Sequence, residues 1–212
     1  MVWVALGDCS GKFAAPVPIY TGVNNAAVRL ADVNGDGNLD IVTSAFAGFS
    51  QVGLGMYGGD SISVALGDGK GNFSTARQYT GTGQAFSIGT ADFTGSGVPD
   101  VVTAESDSDT ATVYTNDGTG GFGSPQGIYT GVTGPGAGSI NNPFSDLSFV
   151  DLNGSGKIDA FFVDEGLMGE FYATSFLNDG TGKFTGPINT DMGVAISTNS
   201  VSYTHLARSS GA

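Results

Sequence analysis

Short apolar runs, separated by glycine and aspartate, cover most of the chain. At residues 27–31, 39–45, 61–66 and 73–79 these runs show no helical period. They are rich in Val, Ile, Thr and aromatic residues and are bounded by Gly, Asn, Asp and Ser. That pattern predicts strands, here named A to D, rather than helices. The same order returns at about residues 86–129 and again at 147–190, so the chain is a repeat of four-strand units. Residues 2–20 read as strands C and D of a preceding unit, and 193–197 as the start of a further one.

Two polar elements alternate between the runs. Between strands C and D stands a turn of the form D-G-x-G-x-F. It reads L-G-D-C-S-G-K-F from Leu6, L-G-D-G-K-G-N-F from Leu66, T-N-D-G-T-G-G-F from Thr115 and L-N-D-G-T-G-K-F from Leu177. Asp-Gly between apolar runs predicts a hairpin, because glycine supplies the positive φ that such turns need. Cys9 stands where the other copies have Gly69, Gly118 and Gly180 and reads as a turn substitution. Three of the D strands end in Tyr-Thr-Gly, at Tyr20, Tyr79 and Tyr129.

Between strands A and B lies a nine-residue loop. Residues 32–40 read D-V-N-G-D-G-N-L-D, 92–100 read D-F-T-G-S-G-V-P-D, and 151–159 read D-L-N-G-S-G-K-I-D. Side-chain oxygens recur at alternate positions, and two glycines let the backbone fold back so that they converge. A hard cation such as calcium takes about six to eight oxygens at roughly 2.3–2.6 Å. The loop opens like an EF-hand, yet its last acid comes at the ninth position and a strand follows. The first copy carries three carboxylates; the second and third carry two, with Ser96 and Ser155 at the fifth position.

Composition sharpens this picture. Of 20 acidic residues 17 are Asp, and the formal net charge is −13. A generally charged surface would use Glu freely, whereas ligand loops and tight turns favour Asp, so the acidity is local. Seven basic residues give a phosphate backbone nothing to bind, which argues against nucleic acid. One cysteine excludes a disulfide framework and cysteine-rich zinc sites. No apolar run approaches the ~20 residues of a membrane span, and Met1-Val2-Trp3-Val4 reads as a strand rather than a signal peptide.

With both motifs in fixed alternation, residues 1–198 resemble the FG-GAP/VCBS repeat family, the integrin-α-type calcium β-propellers. The resemblance implies an all-β fold, a partial β-propeller of about three and a half four-stranded antiparallel blades. Its expected divisions are 1–20 (second half of a blade), 23–81, 84–131 and 145–190 (full blades), and 191–200 (start of the next). Residues 201–212 change character, read like translated sequencing-adapter DNA, and are left out of the fold. Propellers close with about four to eight blades, so the remaining blades are expected to be missing from this chain. The resemblance also implies Ca2+ held by Asp32, Asn34, Asp36, the Asn38 carbonyl and Asp40. The matching sets are Asp92, Thr94, Ser96, the Val98 carbonyl and Asp100, and Asp151, Asn153, Ser155, the Lys157 carbonyl and Asp159. The family's F-G…G-A-P element survives only in part, as Phe122-Gly123-Ser124-Pro125 and Phe184-Thr185-Gly186-Pro187.

The chemistry of catalysis is sparse. The single histidine, His205, falls in the excluded tail, which removes Ser-His-Asp and Cys-His constellations. Glu105 and the pair Asp164-Glu165 are the acids placed to form a carboxylate pair of the glycosidase kind. The expected binding elements are instead the long B–C and D–A connections, on the face opposite the calcium loops. These carry Phe46, Phe49, Met56 and Tyr57 in one stretch and Asn141, Asn142 and Phe144 in another. Aromatics with amides suit sugar or peptide. The expected function is a non-enzymatic extracellular adhesion or ligand-binding module for carbohydrate or protein, without membrane insertion. The alternatives are a propeller-type glycosidase or lyase, or a propeller appended to a secreted enzyme, and a structural spacer.

Overall fold

A computed structural model describes residues 1–22, 24–45, 61–81, 85–105, 110–129, 146–165 and 170–194. Every regular element among them is a β-strand, in the order β1 (Val2–Val4), β2 (Val17–Ile19), β3 (Asn25–Ala31), β4 (Asp40–Ala45), β5 (Ser61–Ala65), β6 (Arg77–Thr80), β7 (Ala85–Ala91), β8 (Asp100–Glu105), β9 (Thr110–Tyr114), β10 (Gln126–Tyr129), β11 (Asp146–Val150), β12 (Asp159–Glu165), β13 (Glu170–Asn178) and β14 (Phe184–Val194). These form one two-stranded sheet, β1-β2, and three four-stranded sheets, β3-β4-β5-β6, β7-β8-β9-β10 and β11-β12-β13-β14. Every pairing is antiparallel and joins sequence neighbours. The architecture is the expected partial propeller: a half-blade followed by three full blades.

The first strand of each full blade packs on the first strand of the next, β3 on β7 and β7 on β11. Close approach there requires glycine, since a Cβ on Gly89 would stand 2.1 Å from the Phe149 ring. Each blade buries a face against its neighbour. One apolar layer joins Val33, Val42, Ile62 and Val64 of the first full blade to Ile88, Val101, Tyr114 and Phe122 of the second. The next joins Phe93, Val102, Ala111 and Val113 of the second to Leu147, Ala160, Phe162 and Phe176 of the third. Successive residues of a central strand therefore serve alternate seams, as Val101 and Val102 do. This is why the B strands read as unbroken apolar runs instead of alternating ones. Against the half-blade the cover is partial: Val28 is 43% and Leu30 58% exposed, although Ile41 beside them is buried.

The Asp-Gly turns form as the sequence predicts. In each, the Asp N–H donates to the carbonyl four residues on, as from Asp117 to Gly121 at 2.8 Å. Cys9 adopts φ +63° where Gly69, Gly118 and Gly180 have +70°, +88° and +89°, so it takes a left-handed turn position. Strand β14 runs on to Val194, opposite Glu170, so residues 191–194 extend the third blade's outer strand past 190. And Tyr79 pairs with Ile62, whereas the equivalent place in the next blade, opposite Ala111, is held by Ile128 and not Tyr129. The Tyr-Thr-Gly similarity is therefore one residue out of phase with the ladder.

Candidate functional site

Each nine-residue loop is wound around its first aspartate. Asp32 accepts N–H bonds from Gly35 at 2.7 Å and Asp36 at 3.1 Å on one oxygen, and from Gly37 at 2.8 Å on the other. Asp151 does the same with Gly154, Ser155 and Gly156, at 2.7, 3.0 and 2.7 Å. Asp92 receives Ser96 at 2.9 Å and Gly97 at 2.8 Å. Gly35 and Gly37 have φ of +73° and +86°, which is what turns consecutive N–H groups toward one carboxylate. The three loops are thus one conformation built three times.

What fills that conformation differs. In the first loop Asn34 Nδ2 donates to Asp36 at 3.0 Å, and the Asn38 N–H donates to the other Asp36 oxygen at 2.8 Å. That N–H, with the Asn34 amide, holds the exposed Asp36 carboxyl below its ordinary range. In the second loop the expected ligands bond one another: Thr94 Oγ1 donates to Asp100 at 3.2 Å, and Ser96 Oγ to the Val98 carbonyl at 3.1 Å. In the third, the Gly156 N–H leads in holding Asp151 below the ordinary carboxylate range, and Asn153 Oδ1 accepts the Ser155 N–H at 2.9 Å. There the Lys157 ammonium reaches over to the Asp179 carbonyl of the neighbouring turn.

The ninth-position acids face inward. Asp40, Asp100 and Asp159 are each 0% exposed, and each carboxylate ties its own loop to its own C–D turn. Asp40 accepts the N–H of Val33 and of Gly67, both at 2.8 Å. Asp100 accepts Phe93 at 2.9 Å and Asn116 at 2.7 Å; Asp159 accepts Leu152 at 2.9 Å and Asn178 at 2.8 Å. Burial pushes the Asp40 and Asp100 carboxyls up, and the charges of Asp36 and Asp32 add to the shift at Asp40. The three acids of the first loop therefore act on one another electrostatically. Among the described residues, even so, no three acidic, histidine or cysteine side chains are grouped closely enough to hold a metal without rearrangement.

Sequence reasoning missed two residues here. Asn116 Nδ2 donates across the seam to the Val33 carbonyl of the preceding blade's loop, and to Pro99 of its own, both at 2.8 Å. Asn178 repeats this one blade later, to Phe93 at 2.8 Å and Ile158 at 3.0 Å. The Oδ1 of each accepts a turn N–H, from Gly118 and Gly180, both at 2.9 Å. A chain of buried bonds thus runs from the first loop through Asn116 and Asp100 to the second, and through Asn178 and Asp159 to the third. The signal was present in the T-N-D-G and L-N-D-G turns, where the two earlier copies have Gly7 and Gly67.

Glu105, one of the acids weighed for catalysis, is 1% exposed at the end of β8 and accepts a bond from the Thr112 hydroxyl. Asp164 and Glu165 lie within β12. Phe46, Phe49, Met56, Tyr57, Asn141, Asn142 and Phe144 lie outside the described residues. No helix among the described residues is long and apolar enough to cross a membrane.

A family described as FG-GAP-like repeat matches residues 92–162, which run from the second loop into β12. No curated protein matches the chain. Among solved structures the chain is similar to an Agrocybe aegerita lectin studied for its specific recognition of non-reducing terminal N-acetylglucosamine. The identity is 23% and the TM-score 0.52, over 90% of this chain and 46% of the lectin's. The chain therefore spans less than half of that lectin. It also aligns with a Photorhabdus luminescens Tc holotoxin pore at 18% identity and a TM-score of 0.38, over 89% of this chain and 11% of that one.

Proposed function

We propose that this chain is a calcium-stabilised, non-enzymatic binding module that works outside the cell on a carbohydrate or protein ligand. The observation that carries the reading is the threefold loop, wound in each copy around a first-position aspartate whose carboxylate organises successive N–H groups. The donor set is all oxygen, which is what calcium selects. Asp32, Asn34, Asp36, the Asn38 carbonyl and Asp40 would hold it in the first loop. The ion's contribution is electrostatic: it offsets the mutual repulsion of three carboxylates, one of them buried. The third loop, with Asp151, Asn153, Ser155, Lys157 and Asp159, offers fewer charges. The second, where Thr94 and Ser96 already bond Asp100 and Val98, offers the weakest set.

The binding half of the reading draws support from the fold shared with a lectin. On the enzyme side, Glu105 is buried and engaged by Thr112, a poor arrangement for one of a pair of solvent-facing catalytic acids. Melting in calcium and in chelator tests the first half. We expect a higher midpoint in calcium, with affinity of roughly 10⁻⁴–10⁻³ M as in extracellular modules, and loss of most of that gain in Asp36→Ala. Equal midpoints in the unmutated chain would remove calcium from the account. Retention of the folded protein on N-acetylglucosamine-bearing glycans or matrix proteins tests the second half, and failure on both would remove the binding role.

A further inference from the structure

The outer part of the seam between the second and third full blades is open. A groove of about 480 Å³ lies there, lined among others by Gln126, Gly127 and Ile128 of β10 and by Gly182, Lys183 and Phe184 of the facing turn. The seam between the first and second blades shows what such a place holds when it is filled. There Tyr79 projects from β6, its ring edge-on to Phe122 at 5.4 Å and 80°, its hydroxyl donating to the Gly120 carbonyl at 3.4 Å. The Arg77 guanidinium stands 5.7 Å from the centre of the same ring.

Position by position, the second seam keeps the receptor and lacks the occupant. Phe184 and Gly182 take the places of Phe122 and Gly120 in the repeated turn. In the strand ladder Ile128, opposite Ala111, takes the place of Tyr79, opposite Ile62. Both substitutions remove volume from the seam. Gln126 replaces Arg77 opposite the equivalent valine, but Lys183, where the other turn has Gly121, returns a cation to the groove's edge. Phe184 is steadied from behind by Phe93, edge-on at 5.3 Å.

We propose that this groove binds a para-substituted phenol, with its ring against Phe184, its hydroxyl donating to the Gly182 carbonyl and Lys183 beside its face. The chain's own Tyr79 is the template for that pose. The volume falls within the roughly 300–1,000 Å³ of small-ligand sites, which leaves room for the substituent that carries the ring. The groove adjoins the second loop, whose Phe93 packs on Phe184 and whose Thr94 lies beside Gly182. Two sources share this chemistry, a free small phenol and a tyrosyl side chain presented by a peptide.

The test is amide NMR of the whole chain titrated with p-cresol, with N-acetyltyrosinamide and with cyclohexanol. Shifts that saturate in the millimolar range at Ile128, Gly182 and Phe184 with both phenols, and not with cyclohexanol, are expected. Tighter binding of p-cresol identifies the free phenol as the source, and tighter binding of N-acetyltyrosinamide the tyrosyl group. Ile128→Tyr should fill the groove from within and weaken the titration at least about tenfold while the fold's spectrum persists. Tyr79→Ile should open a second site, seen as new phenol-dependent shifts at Gly120 and Phe122. Equal response to cyclohexanol, shifts scattered away from the seam, or unchanged binding in Ile128→Tyr would each overturn the proposal.

Discussion

The two seams between full blades are alike near the loops and different at the outer edge. Near the loops both use the same parts, a buried ninth-position aspartate and an asparagine reaching into the preceding blade. At the edge one seam is sealed by Tyr79 and the other opens at Ile128. Buried polar groups must be satisfied, so the relay admits few substitutes. Apolar edge positions can vary in size at modest cost. A repeat protein can therefore hold its blades in register with one fixed device while its seams diverge. The seam with the half-blade adds a third case: Gly67 supplies only its N–H to Asp40, with no side chain to cross toward the half-blade.

The largest effect should follow loss of the shared carboxylate. Asp100→Ala leaves the N–H groups of Phe93 and Asn116 without their acceptor, two buried donors at about 1–3 kcal/mol each. We expect a loss of roughly 3 kcal/mol or more by urea denaturation in chelator, where no metal contributes. A loss under about 1 kcal/mol would show that water replaces the carboxylate.

Gly67→Asn probes the difference between the glycine and asparagine turns. A Cβ on Gly67 would stand 2.3 Å from the Leu39 carbonyl, so β4 and the turn must separate before the new amide can bond anything. Overpacking of this kind costs about 1–3 kcal/mol. Stabilisation in the melting assay would mean that the seam with the half-blade differs from the others in sequence alone.

The smallest effect lies at the turn acids. The Thr119 hydroxyl, and next its N–H, hold the Asp117 carboxyl below its ordinary value of 3.8; Thr181 does the same for Asp179. A depressed folded value means that the turn's contribution is present above about pH 3.8 and is lost as pH falls through the lower one. Carboxyl NMR should show both residues titrating below an unstructured aspartate, and Thr119→Ala should move Asp117 upward while Asp179 stays. Joint movement of the two would contradict the local cause.

Blades, loops and turns were legible in the chain because each is set by contacts within a few residues: acids at alternate positions, glycines at left-handed ones, apolar runs between. The asparagine relay was not, because its acceptors are main-chain carbonyls 83 and 85 residues away, on which residue type has no bearing. The Tyr-Thr-Gly similarity misled for a different reason. A one-residue slip turns a strand side chain to the other face, and only the ladder shows that Tyr79 and Tyr129 stand at different steps.

Asn116, Asp100 and Asn178 join the loops of successive blades into one structural unit. A double-mutant cycle on Asn116→Ala and Asn178→Ala, measured by denaturation in chelator, tests this most directly. Each single change should cost about 2 kcal/mol, since each strands a buried carbonyl of the preceding blade and a half-buried one of its own. Because both asparagine side chains act on the second loop, one through the Pro99 carbonyl and the other through the Phe93 carbonyl, the pair should depart from additivity by at least about 0.5 kcal/mol. Losses that simply add would show two independent clasps, and the blades would be neighbours without being a unit.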